Sequence, residues 1–413
     1  MKTIKLCLSK KLNIIVLLCL ILTLLMTGFT DGREEVIISD SSIVKEDESF
    51  DNSGALYDAE ENDDGNEAEF NLMDKEPIEI VDNQYAKLFT IERYEGGYSY
   101  IKVDDGRNYL IVPEGMRVPD DMSDCIIINK GCDRIYLAGT AAMSLFDAAI
   151  GLDYIKFSSL KAEDWYVDGA VKAMNNGDIV FAGKYSAPDF ELLLKEKASL
   201  ALESTMILHK PDILEKLEEV GIPVFIERSS YENHPLGRLE WIKVYGEICG
   251  REGQAKDYFD KQCEVVNNLN FDNLEEKTVA FFYINDNGCV ITKKSSDYIP
   301  KMIAMAGGKY IYESLGDEDG SATSSVNMTM EEFYSTAKDA DFIIYNATIQ
   351  NAPKDLDSLI STWPLLKDFK GLKDGNVYVM TKSVYQATSE TGTIIEAIND
   401  MLCGKENEMI KKL

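Results

Sequence analysis

Histidine is nearly missing from these 413 residues: His209 and His234 are the only two, and a His-rich metal centre is excluded with them. The eight cysteines form no CxxC pair, so nothing is spaced as a structural zinc site. Cys125, Cys132, Cys249, Cys263, Cys289 and Cys403 follow the N-terminal segment; an oxidising compartment permits disulfides among them, and their spacing predicts none. No G-x-G-x-x-G, no phosphate-binding P-loop and no G-x-S-x-G elbow occurs, which takes away the usual marks of dinucleotide enzymes, nucleotide hydrolases and serine hydrolases. Asp317, Asp319 and Ser321 begin like a calcium loop, but Met328 stands where the bidentate carboxylate belongs, and the stretch reads as a solvent loop. Positive charge is short as well. With 42 Lys and Arg against 72 Asp and Glu the chain carries −30 at pH 7, which argues against nucleic-acid or anionic-lipid binding by the whole surface. Carboxylates are so abundant that nominating two of them as a glycosidase pair carries no information without geometry.

What is present begins with an export pattern. Lys2, Lys5, Lys10 and Lys11 precede an apolar run from Leu12 to Met26, the layout of a signal peptide or an uncleaved anchor over residues 1–30. The run closes on Met26-Thr27-Gly28-Phe29; Phe29 stands where a lipid-bearing cysteine would follow, so lipid attachment at that position is chemically excluded. The expected location is the outer face of the cytoplasmic membrane or the extracellular space, with the mode of anchoring open. Residues 31–82 hold nineteen Asp and Glu against three Lys and Arg, a net −16, and few large apolar side chains. Such a segment is expected to remain an unfolded acidic tether.

Folded structure is predicted from about residue 83. Ala86–Tyr94, Tyr98–Val103 and Tyr109–Val112 read as strands separated by Glu95-Gly96-Gly97 and Asp104-Asp105-Gly106, a small β-meander over 83–125. The pattern then changes to strand, loop and helix in alternation, which implies parallel β/α units. The series runs over 126–250, is interrupted by one helix at 251–270, and resumes over 271–413. The predicted class is therefore α/β: two Rossmann-like lobes joined by a single long helix, with the β-meander in front.

Open parallel sheets bind ligands beyond the carboxyl ends of their strands, and this rule selects candidates without further information. From the first lobe come Thr140, Lys184, Tyr185, Ser204, Thr205, Arg228, Ser229 and Tyr231; from the second, Asn285, Lys293, Asn346 and Tyr385. Tyrosine walls with Arg or Lys donors suit a flat complex rimmed by oxygen atoms. For Arg228 an ion pair with Glu227 or Glu232 competes with ligand contact. His234, placed before Pro235, reads as a helix cap or packed ring rather than a haem ligand. Met143 and Met206 read as core.

The stretches Gly221-Ile222-Pro223-Val224-Phe225, Pro235-Leu236-Gly237-Arg238-Leu239-Glu240-Trp241-Ile242 and Gly250-Arg251-Glu252-Gly253-Gln254-Ala255 come in an order and spacing that resembles the substrate-binding receptors for iron-siderophore complexes, haem and vitamin B12. Met302–Gly308, Lys338–Tyr345 and Lys373–Tyr378 extend the likeness, which covers roughly Arg134 to Cys403. The resemblance implies an extracytoplasmic, monomeric receptor of an ABC importer. It would capture an iron complex or cobalamin between its lobes and pass it unchanged to the permease, with no resident cofactor and no catalysis. It also implies that a glutamate near the start of one helix in each lobe engages permease arginines, a role that falls on Glu191 and Glu331. An exposed acid in a first helical turn is favoured by the helix dipole in any case. Two other classes stay open beside this one: an exported α/β or chelatase-like enzyme acting on a metal complex, and a non-transporting surface sensor or adhesin.

Overall fold

A computed structural model describes residues 69–413, apart from 273, 275–276, 317–323 and 349–350. The export segment, most of the acidic stretch and the calcium-loop look-alike at Asp317, Asp319 and Ser321 lie outside the described residues. Residues 69–82, which composition assigned to the tether, belong to the folded body: Leu72 is fully buried, and its N–H donates to Asp121 Oδ1 at 2.9 Å. Local charge misled there because single apolar side chains, not segment averages, decide where packing starts.

The first layer is a sheet of five strands in the order β1 (Glu79–Ile80), β2 (Phe89–Arg93), β3 (Ser99–Val103), β4 (Asn108–Val112) and β5 (Ile126–Asn129). Gly96 and Gly97 adopt positive φ in the turn between β2 and β3, as Gly106 does between β3 and β4, and these turns join antiparallel neighbours. The expected meander is incomplete, since β4 and β5 pair in parallel. A parallel pair needs a crossover, and the chain supplies one through 113–125.

The first lobe holds an all-parallel sheet in the order β12 (Val224–Glu227), β11 (Leu200–Ser204), β6 (Ile135–Leu137), β7 (Ile155–Ser158) and β8 (Val180–Phe181). Both of its faces are covered. Ile135, Leu137, Leu200, Leu202 and Phe225 join one core, while Tyr136, Ala201, Val224 and Ile226 join another on the opposite face, which explains why these strands read as continuous apolar runs. Strand β7 and the helix Asp168–Asn176 escaped the sequence reading.

The helix Glu252–Asn267 follows Gly250, whose φ of 68 ends the preceding helix Ile242–Cys249. At sixteen residues it is about 24 Å long. It buries Ala255, Phe259 and Cys263 against the first lobe. Toward the second lobe it bonds through Gln262, whose Oε1 accepts from Gly392 N at 2.9 Å.

The second lobe is a mixed sheet in the order β16 (Ser325–Met328), β14 (Val290–Lys293), β13 (Thr278–Ile284), β17 (Phe342–Asn346), β18 (Val377–Met380) and β19 (Ile410–Lys412), with β15 (Lys309–Tyr310) also on β13. Only β13, β15, β17 and β18 are parallel to one another; β14, β16 and β19 run against their neighbours. The helices Tyr298–Met305 and Thr391–Leu402 cover one face and Met330–Ala337 the other. The chain is thus an α/β protein of two lobes. Among the described residues no helix is long and apolar enough to cross a membrane.

Candidate functional site

In the first lobe, successive strands run outward from β6 in opposite directions, to β7 and β8 on one side and to β11 and β12 on the other. Such a switch of direction opens a crevice at the carboxyl ends of the central strands. Gly139 follows β6 there, and a Cβ on it would stand 3.1 Å from both Glu227 Cγ and Leu202 Cδ2. The absent side chain lets β6 and its neighbours close up, leaving Thr140 and Ser204 at the rim.

The crevice is the first-lobe wall of a cleft of about 570 Å³ whose other wall is the second lobe. Thr140, Ser204, Thr205, Ser229 and Tyr231 stand on the first wall, and Lys293, Asn346 and Tyr385 on the second. Tyr231 and Tyr385 are 54% and 64% exposed, which is unusual for side chains of their size unless they serve a surface that something covers. Tyr231 is held in place: the guanidinium of Arg228 lies 5.0 Å from its ring centroid, and Thr205 Oγ1 donates to its hydroxyl at 3.3 Å.

Four of the selected positions are not part of the lining, Arg228 among them only by standing just behind the rim. Lys184 and Tyr185 belong to a hairpin of β9 (Gly183–Lys184) and β10 (Ala187–Pro188) beyond the sheet edge. The hairpin turns at Tyr185-Ser186; Gly183 enters it with φ 83, and its carbonyl accepts from the Tyr136 hydroxyl at 3.0 Å. Asn285 closes the β13–β14 hairpin, its Oδ1 accepting from Asn287 N and Cys289 N at 3.0 Å each. Arg228 is ion-paired, but with neither glutamate weighed for it. Its Nε lies 3.0 Å from Asp104 Oδ1 and its Nη1 3.3 Å from Asp105 Oδ2, both in the turn after β3. In each case the chain folds back or finds a distant partner where a loop at the cleft mouth was expected.

Several cleft residues were missed because they stand on helices or in the last strand position rather than in the loops. Arg238, on the helix Pro235–Glu240, stacks over Tyr298 of the opposite lobe at 3.8 Å and donates to the Ser230 carbonyl at 2.7 Å. Burial pushes the Tyr298 hydroxyl up to about 12, so the ring faces Arg238 uncharged. Glu227 Oε2 accepts from Ser229 N at 2.8 Å and Ser229 Oγ at 2.5 Å; burial raises its carboxyl above the usual range, and the two Ser229 bonds oppose the shift. Asp297 caps the helix Tyr298–Met305 through Ile299 N and lies 3.7 Å from Lys293 Nζ. A cap signal at Asp297 was readable from the sequence; the cross-lobe stack was not.

His234 caps the helix Pro235–Glu240, its Nδ1 accepting from Leu236 N at 3.2 Å, and its ring stacks on Tyr85 at 4.3 Å. Met143 is core, whereas Met206 stands on the cleft wall, 48% exposed. Among the described residues no three His, Cys, Asp or Glu side chains cluster as metal ligands. Glu191 and Glu331 occupy the first turns of the helices Phe190–Lys195 and Met330–Ala337, both exposed. Glu332 is committed to a capping box with Thr329, which leaves Glu331 as the free acid of that pair.

Residues 155–384 match the periplasmic binding protein family. The chain belongs to that family. Among curated proteins it is 26% identical over 275 residues to an uncharacterized lipoprotein of Methanocaldococcus jannaschii, covering 63% of this chain and 62% of that one. A second uncharacterized protein of the same organism is 29% identical over 40% of this chain and 49% of its own length. The chain thus spans less than two thirds of either relative. Among solved structures, a periplasmic binding protein of Veillonella parvula aligns with a TM-score of 0.56 at 14% identity, over 78% of this chain and 99% of that one. A periplasmic haem-binding protein of Pseudomonas aeruginosa aligns at 0.52 and 13%, over 68% and 97%, and one of Vibrio cholerae at 0.51 and 17%, over 63% and 97%. These likenesses establish the two-lobed fold of the family.

Proposed function

We propose that the chain is the extracytoplasmic receptor of an ABC importer, taking an iron complex (siderophore or haem) or cobalamin into the cleft and handing it unchanged to the permease. The observation that carries this reading is the cleft itself: both lobes wall it, and its exposed tyrosines are rimmed by hydroxyls and an amide. That is a surface for gripping a bulky polar complex by burial and a few directed bonds. The signal-like N-terminus, the family and the lipoprotein relatives support export. Two fold neighbours are haem-binding proteins, which supports a metal complex as cargo.

The helix Glu252–Asn267 packs into the first-lobe core and bonds to the second lobe, so closure on a cargo is expected to be slight and visible as little change of radius in solution scattering. The docking roles of Glu191 and Glu331 provide the decisive experiment. Glu191→Arg with Glu331→Arg is expected to abolish uptake in cells carrying the cognate permease, while native mass spectrometry shows cargo affinity within about twofold of the parent, since neither residue lines the cleft. Equal loss of both would dismiss the assignment.

A further inference from the structure

The charges of the cleft limit what it can hold. Its described lining contains two cations, Arg238 and Lys293, and two acids, Glu227 and Asp297. Both cations are already engaged in part. Arg238 gives its Nη2 and Nε to the carbonyls of Ser230 and Glu232, at 2.7 and 3.4 Å, and its face to Tyr298. Lys293 donates to Ser324 Oγ at 3.0 Å beside Asp297. Arg228, at the rim, faces Asp104 and Asp105, and Arg107 pairs with Asp105 as well. Burial favours the neutral form of Glu227, which leaves the lining with at most one net positive charge.

The rest of the wall is uncharged and of two kinds. Tyr231, Tyr385 and Met206 present exposed aromatic and thioether surface; Thr140, Thr205 and Asn346 present hydroxyl and amide groups. Such a wall rewards the burial of an amphipathic body and supplies single hydrogen bonds. It does not repay the desolvation of several negative charges, because that needs more opposing charge than this near-balanced set of two cations and two acids supplies. The chain as a whole, at −30, repels an approaching polyanion.

We therefore propose that the cargo is electroneutral: an amphipathic metal complex whose periphery presents amide or hydroxyl groups, the chemistry shared by corrinoids and ferric tris-hydroxamates. The inference rests on the receptor reading of the same cleft and narrows it. A trianionic ferric tris-catecholate is disfavoured by its charge, and haem by its propionates.

Equilibrium dialysis of the full chain against cyanocobalamin, ferrichrome, ferric enterobactin and haemin, at low and high sodium chloride, separates the outcomes. One of the two neutral complexes is expected to bind at least about tenfold more tightly than either anionic one, with an affinity that moves less than about twofold with salt. Which neutral complex it is tells corrinoid from hydroxamate. A smaller preference, or tightest binding of ferric enterobactin or haemin, overturns the inference and leaves the receptor reading intact. Binding of none of the four overturns the receptor reading, and the inference falls with it.

Discussion

Away from the cleft, the first lobe buries carboxyl groups in two further places, and the two could hardly be treated more differently. Where the N-terminal sheet meets the helices Pro235–Glu240 and Ile242–Cys249, three buried acids are saturated with donors. Glu240 accepts from Gln84 N, Tyr85 N and Ala86 N at 2.7–2.8 Å and from Lys243 Nζ at 2.6 Å. Glu232 accepts from Lys87 N, Leu88 N and Trp241 Nε1, and Glu247 from Arg93 and Ser99. On the far face of the lobe's sheet, Glu203 at the end of β11 is fully buried, and neither of its oxygens meets a protein partner. The first set binds an accessory sheet to the lobe through charge-assisted bonds to backbone N–H groups. The second is a group the fold tolerates by keeping it protonated, and burial pushes its carboxyl up to about 8.

The comparison breaks most visibly at Glu240. Glu240→Ala would strand three backbone donors and the Lys243 ammonium in a dry interface, at a cost of about 4 kcal/mol. Chemical denaturation should show that loss, together with exposure of Trp241 in the fluorescence, because Phe89 of the sheet packs edge-on against that indole at 5.0 Å. A loss below about 1 kcal/mol would mean that Glu240 adds little to what Glu232, Glu247 and the apolar contacts already supply.

Glu203 should behave in the opposite sense. Its carboxyl is raised in the folded state, so below about pH 4.5 it is protonated whether or not the chain is folded and costs nothing. As pH rises the unfolded chain gains an ionised group that the folded one resists, and stability falls by ~1.4 kcal/mol per unit until the folded group itself ionises near pH 8. Glu203→Gln removes the titration. The variant should match the parent near pH 4 and exceed it by roughly 3 kcal/mol at pH 7. A parent whose stability is flat between pH 5 and 8 would sink this account.

Much of this was legible in the sequence where one physical rule controls the outcome. Parallel strands declared themselves as short apolar runs, and the carboxyl-end rule found Thr140, Ser204, Thr205, Ser229, Tyr231, Lys293, Asn346 and Tyr385, all on the cleft. It failed at Lys184, Tyr185 and Asn285 because the chain reverses at Tyr185-Ser186 and around Gly288, and a hairpin carries its residues away from the mouth. It failed at Arg238 and Tyr298 because they face the cleft from helices that the rule does not consult. No local pattern announces the partners of Arg228, since Asp105 is 123 positions away, nor those of Glu240, 154 to 156 positions away. The family resemblance carried the two-lobe arrangement; what it did not carry was the accessory sheet and its bonds to Glu232, Glu240 and Glu247.

That sheet reaches the cleft at one point, and the smallest of the predicted effects lies there. The Asp104-Asp105 turn neutralises Arg228, and Arg228 in turn lies against the Tyr231 ring. Asp104→Asn with Asp105→Asn would keep the turn's hydrogen-bonding shape and withdraw both negative charges, leaving the guanidinium unneutralised at the cleft rim. The pairs are partly exposed, so the stability lost should be under about 1 kcal/mol. The gain should appear in binding instead: ferric enterobactin affinity rising roughly three- to tenfold at low salt, and the rise fading as salt screens it. A rise of that size would mean the accessory sheet sets the charge that the cleft presents, whereas an unchanged affinity for the anion would reduce the sheet to a brace for the first lobe.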